Sequence, residues 1–237
     1  AGIGEATARR FAREGWRLIL TGRRADRLQA LCAQLPAQAL PLAFDIRSRE
    51  AVRQALASLP PDWQEVEVLV NNAGLSLGLT PFFQDDPDDW DQMIDTNVKG
   101  LLYISRELAP GMVARGRGHI VNIASIAGKV VYPGGMAYCA SKHAVEAISQ
   151  GMRIDLLPYG VRVSNVAPGM VETEFSVVRF KGDEARAAKV YEGMEPLRGE
   201  DIAEAIWWAV NAPPHVNVSD LLLMPTDQAS AGMVRRR

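Results

Sequence analysis

Short apolar runs and amphipathic stretches alternate along this chain, and their periods separate strands from helices. The stretch from Glu5 to Glu14 (EATARRFARE) reads as a helix closed by Gly15, a residue that tolerates a left-handed helix end. RLILT, at 17–21, is too short for a helix and suits a buried strand. The alternation then continues, with a helix predicted over 25–34, an extended run over 39–44, a helix over 49–59 and the strand VEVLV at 66–70. Further helices are predicted over 90–115, interrupted before Asn97, and over 137–157 and 200–210. Strands are predicted over 119–123, 161–166 and 221–224. Such an order implies parallel strands joined by crossovers, with helices on both faces. No repeat, low-complexity tract or linker divides the chain. The expectation is one α/β domain over 1–237, doubly wound around a mostly parallel sheet.

Composition narrows the function classes. The 237 residues are 48% hydrophobic and 23% charged, an ordinary globular balance that excludes a disordered or collagen-like chain. Net charge is −2, and apart from Arg235-Arg236-Arg237 no basic tract offers nucleic acid a footprint. No run reaches the roughly 18 apolar residues of a spanning helix, and no basic start precedes an apolar block. Two cysteines make no disulfide framework, and three scattered histidines give no metal spacing. A cytoplasmic protein with no metal, membrane or nucleic-acid partner is the expectation.

Open parallel sheets bind ligands beyond the carboxyl ends of their strands, and the informative residues follow the strand runs. Gly2-Ile3-Gly4 opens the first helix, where glycines let backbone approach a pyrophosphate drawn to the free N–H groups. An ordinary helix entry looks the same. About 20 positions on, where a carboxylate would bond an NAD ribose, the chain reads Thr21-Gly22-Arg23-Arg24. An arginine fork there suits a 2′-phosphate; the plainer reading is a solvated basic turn. Asp45, with Ile46, is a candidate for the adenine, or a cap of the next helix. Asn72, Ala73 and Gly74, after VEVLV and Asn71, allow close approach to a ribose.

Tyr138 and Lys142 stand four apart in a helical stretch and share one face, and Ser125 follows the strand HIVNI. A phenol near pKa 10 is a poor base at neutral pH, and a neighbouring ammonium would favour the phenolate. Ser125 could hold the reacting oxygen. A surface tyrosine–lysine pair gives the same spacing.

Taken together, NNAG at 71–74, Asn97 in DTNVKG, Ser125 thirteen residues before Tyr138, Lys142 four after it and Pro168-Gly169 after a strand resemble the short-chain dehydrogenase/reductase family over the whole chain. That resemblance implies a Rossmann domain with a Ser125–Tyr138–Lys142 site completed by Asn97. Tyr138 would exchange the proton, Lys142 would lower the tyrosine pKa and bond the nicotinamide ribose, and Asn97 would hold a water that links Lys142 to solvent. Pro168, Gly169, Val171 and Thr173 would line the nicotinamide. The family's glycine fingerprint begins before Gly2, so the resemblance implies a strand and roughly nine or ten residues ahead of Ala1.

Segments such as TGRRADRL, LVNNAGLSLGL and EFSVVRFKGD are similar to the bacterial NADP-dependent 3-hydroxy acid (serine and allo-threonine) dehydrogenases. The resemblance implies NADP at Arg23 and Arg24, a lid over about 170–198 and a homotetramer. Arg179 and Lys181 are the cations an anionic substrate would want, or simply solvated lid charges. Tyr132 and Met136 would wall the pocket, and Tyr191 is drawn from the lid. Alternatives are a sulfoacetaldehyde or general carbonyl reductase, and a non-catalytic NADP-binding protein.

Overall fold

The computed structural model describes residues 2–237. In chain order these form α1 (Ile3–Arg13), β1 (Leu18–Gly22), α2 (Ala25–Gln34), β2 (Ala39–Ala43), α3 (Arg49–Ala57), β3 (Val68–Asn71), α4 (Pro87–Ile94), α5 (Leu101–Arg115), β4 (Gly118–Ile123), α6 (Met136–Leu156), β5 (Val161–Pro168), α7 (Phe175–Arg179), α8 (Glu184–Lys189), α9 (Gly199–Val210), β6 (Asp220–Leu223), β7 (Gln228–Ser230) and β8 (Met233–Val234). The alternation read from the sequence stands.

Three differences have physical causes. The third strand starts at Val68 rather than Val66, because the Val66 carbonyl accepts a 2.7 Å hydrogen bond from the Arg115 guanidinium. The long helix does not break at Asn97. It starts earlier, at Pro87, capped by the Asp86 side chain, and passes through a π-helical turn, Asp95–Gly100, into α5. The lid contains α7 and α8, too short for their periodicity to announce them.

β3, β4, β5 and β6 form a parallel sheet in that order, with Ile120 opposite Val163 and Val166 opposite Leu221. Alternate residues of β4 and β5 feed two cores. Ile120, Val161 and Val163 meet Val52 of α3, Ile104 and Met112 of α5, and Leu156 of α6. Val121, Ile123 and Val166 meet Phe11 of α1 and Ile202, Ile206 and Val210 of α9 on the other face. Each such side chain contributes about 1.5–3 kcal/mol by leaving water. Helices therefore cover both faces, as expected.

Among the described residues β1 and β2 form a further parallel pair, β7 and β8 form an antiparallel one, and no ladder joins β1 to β3. A cleft among the described residues is bordered by Leu18, Ile19 and Leu20 on one side and Val68, Leu69 and Val70 on the other. It extends to the carboxyl ends of the strands, where Asn72, Gly74, Ser125, Tyr138 and Lys142 line it. The strand expected ahead of Ala1 lies outside the described residues.

Candidate active site

α6 carries Tyr138 and Lys142 on one buried face, and β4 delivers Ser125 two residues after its end. Lys142 Nζ donates to the Ile123 carbonyl at 2.9 Å and lies 5.8 Å from the Tyr138 ring centre. The Ser125 hydroxyl accepts from Ala127 N at 3.1 Å and lies 3.4 Å from the Pro168 carbonyl. Asn97 comes from the π-helical turn and is 1% exposed. Its Oδ1 accepts from Leu75 N (2.8 Å), while Nδ2 donates to Leu75 O (2.8 Å) and to Ser141 Oγ (3.0 Å). This fixes the loop after β3 to the catalytic helix. Gly74 sits where any side chain would crowd Asn97 Oδ1 and Lys142 Nζ, so glycine keeps that approach open.

Burial sets the protonation of the pair. It pushes the Tyr138 phenol well above its ordinary range, opposed chiefly by the Arg179 guanidinium and by a hydrogen bond from Ser125. Burial also lowers the Lys142 ammonium to about 8. The cation that favours the phenolate here is Arg179, whose guanidinium carbon lies 5.3 Å from the Tyr138 ring centre. Lys142, to which the family resemblance gives that task, holds its ammonium on a backbone carbonyl 5.8 Å from the same ring centre.

The cofactor side was expected from residues that now border one cleft. Gly2 has φ 98°, a conformation L side chains rarely adopt, and leads into α1, whose first N–H groups have no side-chain cap. Ile3, Gly4, Arg23, Arg24, Asp45, Ile46, Asn72, Ala73, Gly74, Pro168, Gly169, Val171 and Thr173 line the same cleft. Thus an uncapped helix start and a basic strand end face a common space, an arrangement suited to a phosphorylated dinucleotide. Asp45 does not cap α3; Ser48 does, accepting from Ala51 N. Asp45 instead holds Arg47 through contacts of 2.6–3.1 Å, and that hydrogen bonding keeps its carboxyl below the usual range.

The substrate candidates divide. Arg179, the last residue of α7, lies against Tyr138 and Phe175, donating from Nε to Ser76 Oγ (3.1 Å) and from Nη2 to Tyr132 Oη (3.1 Å). Lys181 is held elsewhere. It follows α7 in a left-handed conformation (φ 52°) and its ammonium lies 2.9 Å from the buried Asp89 carboxylate of α4. Met136 is 44% exposed in the first turn of α6. Tyr191 braces the lid through Ser176 Oγ and the Val171 carbonyl. Cys139 is buried, and His143 bonds the Cys139 carbonyl, so neither joins the chemistry.

Sequence reasoning missed Ser76 and Phe175. Ser76 is 2% exposed beneath the lid, and the Phe175 ring centre is 5.6 Å from that of Tyr138. Phe175, beside the lid cations, was the one a pattern could have suggested. Among the described residues no cluster of three or more His, Cys, Asp or Glu is placed to hold a metal, and no helix is long and apolar enough to cross a membrane.

Comparison with known proteins agrees with this geometry. Residues 1–184 match the model of the short chain dehydrogenase family. The NADP-dependent 3-hydroxy acid dehydrogenase YdfG of Salmonella typhi is 50% identical over 234 residues, covering 98% of this chain and 94% of that protein. The serine 3-dehydrogenase of Agrobacterium fabrum is 44% identical over 232 residues, 98% of this chain and 93% of its own. A closed form of serine dehydrogenase complexed with NADP+ superposes with a TM-score of 0.96 at 47% identity, covering 100% of this chain and 96% of that one. With a buried tyrosine–lysine helix, a serine after β4 and an asparagine tying them to the β3 loop, the chain belongs to the short-chain dehydrogenase family.

Proposed function

We propose that this chain is an NADP-dependent oxidoreductase that moves hydride between the nicotinamide and a short 3-hydroxy acid of the serine, allo-threonine or 3-hydroxyisobutyrate type. The observation that carries the reading is Arg179 stacked on Tyr138 and braced by Ser76 and Tyr132. A hydroxyl at Tyr138 and a carboxylate at Arg179 are then close enough to belong to one short molecule, which favours a 3-hydroxy acid over a simple alcohol. Relatives named as NADP-dependent 3-hydroxy acid and serine dehydrogenases support the same class.

The nicotinamide supplies the hydride donor or acceptor when bound. Gly2, Ile3 and Gly4 would receive the pyrophosphate, Arg23 and Arg24 the 2′-phosphate, Asp45 and Ile46 the adenine, and Asn72, Ala73 and Gly74 the nearer ribose. Pro168, Gly169, Val171 and Thr173 would border the nicotinamide, and Lys142 would bond its ribose. In the oxidative direction Tyr138 takes the hydroxyl proton while Ser125 donates a hydrogen bond to the same oxygen. Burial excludes water from Tyr138, and Asn97 holds the loop and helix in register.

Reduction of NADP+ and NAD+ is to be compared over 3-hydroxy acids, isethionate and uncharged alcohols. Fast NADP-linked turnover confined to hydroxy acids is expected. Turnover on isethionate would move the substrate to sulfonates, and on uncharged alcohols alone to a general carbonyl reductase. Arg179→Met should raise KM for hydroxy acids about 10- to 100-fold, the loss of a charge-assisted pair, and leave KM for uncharged alcohols nearly unchanged. Equal effects on both would overturn the carboxylate role. Assembly belongs to the same proposal: Ile154 and Leu157 at the end of α6 are 72% and 75% exposed, which favours coverage by further copies. Light scattering should return the mass of four chains.

A further inference from the structure

The lid begins with an acid that the proposed chemistry does not use. Glu174 lies between Thr173, which packs against Gly2, and Phe175, whose ring covers Tyr138. Its carboxylate accepts from Arg27 Nη1 at 3.0 and 3.3 Å and lies 3.5 Å from Arg24 Nη2. Arg24 immediately precedes α2 and Arg27 lies in its first turn, three residues on, so their side chains share one side of the helix start. Arg23, Arg24, Arg27 and Glu174 all border the cleft described above.

A carboxylate and a phosphate monoester ask the same of guanidinium groups, a set of N–H donors aimed at neighbouring oxygens. We propose that Glu174 is an internal stand-in for the 2′-phosphate of the cofactor, held by Arg24 and Arg27 until the phosphate displaces it. Arg27 is then a further phosphate ligand, and Glu174 a determinant of dinucleotide preference. Like charge keeps the carboxylate and the phosphate from sharing the two arginines. Because Phe175 follows Glu174 directly, displacement frees the first turn of the lid, and a dinucleotide lacking the phosphate leaves the lid fastened. The inference rests on the NADP reading and adds to it a competitor and a link to the lid.

All three side chains are about half exposed, so each contact is weak and the effects are a few-fold. The test measures equilibrium binding of NADPH and NADH, by nucleotide fluorescence, to the wild type, Glu174→Gln and Arg27→Met. Glu174→Gln should tighten NADPH about 3-fold and leave NADH unchanged, while Arg27→Met should weaken NADPH alone by about 3- to 10-fold. Hydrogen exchange over 173–180 should rise when 2′,5′-ADP is added to the wild type, but not with 5′-ADP and not in Glu174→Gln. Equal changes for both nucleotides, weaker NADPH binding by Glu174→Gln, or a lid indifferent to 2′,5′-ADP would overturn the proposal. A wild type that binds NADH as tightly as NADPH overturns the cofactor reading itself, which separates the two failures.

Discussion

At the scale of single residues, burial and one cation set the chemistry. Burial alone would keep Tyr138 protonated, and the leading influences against it are the charge of Arg179 and the hydrogen bond from Ser125. Removing either moves the phenol further up, so oxidation should need a higher pH. The pH profile of kcat for hydroxy acid oxidation should therefore shift to the alkaline side in Arg179→Met, and less far in Ser125→Ala, which also loses turnover. An unmoved profile in Arg179→Met would show that Arg179 acts on the substrate alone. The residue types and their spacing were legible in the sequence, since an i,i+4 pair on a helix is a local fact. That Arg179 joins Lys142 near the phenol was not legible, because α7 lies some forty residues further along the chain and meets Tyr138 only after folding.

At the scale of elements, the π-helical turn Asp95–Gly100 is the device that seats the site. Asn97 satisfies both Leu75 backbone groups and joins Ser141, so one side chain sets the distance between the β3 loop and α6. Asn97→Ala leaves the Leu75 N–H and carbonyl without these partners and should cost about 2–4 kcal/mol, two unsatisfied backbone groups, together with most activity. Ser141→Ala removes two hydrogen bonds, one from Asn97 Nδ2 and one to the Tyr138 carbonyl, and should cost about 1–2 kcal/mol with a smaller fall in turnover. Urea unfolding followed by intrinsic fluorescence distinguishes the two. Sequence pattern located an irregularity at Asn97, but as a break; apolar periodicity does not report how backbone hydrogen bonds rearrange around a polar side chain.

At the scale of the molecule, stability is uneven. β4 and β5 are buried on both faces by α3, α5 and α6 on one side and α1 and α9 on the other. α2, by contrast, has no buried residue. Amide exchange should accordingly be slowest in β4 and β5, which are covered on both faces, and faster in α2. Equal protection in β4, β5 and α2 would refute this division. Ligand protection should concentrate along the cleft, where both halves contribute walls.

Local pattern along the chain was enough for the order of helices and strands, the parallel pairing, the tyrosine–lysine register and the basic end of β1. Each of these depends on short-range periodicity or on the fixed geometry of a crossover. Only the tertiary structure decided which lid cation meets the site. Arg179 is drawn in by Ser76 and Tyr132, 103 and 47 residues earlier in the sequence, and Lys181 is drawn off by Asp89. Two cations in one loop look alike along the chain. Their partners come from the loops after β3 and β4 and from α4, and the difference between them exists only once those elements are packed.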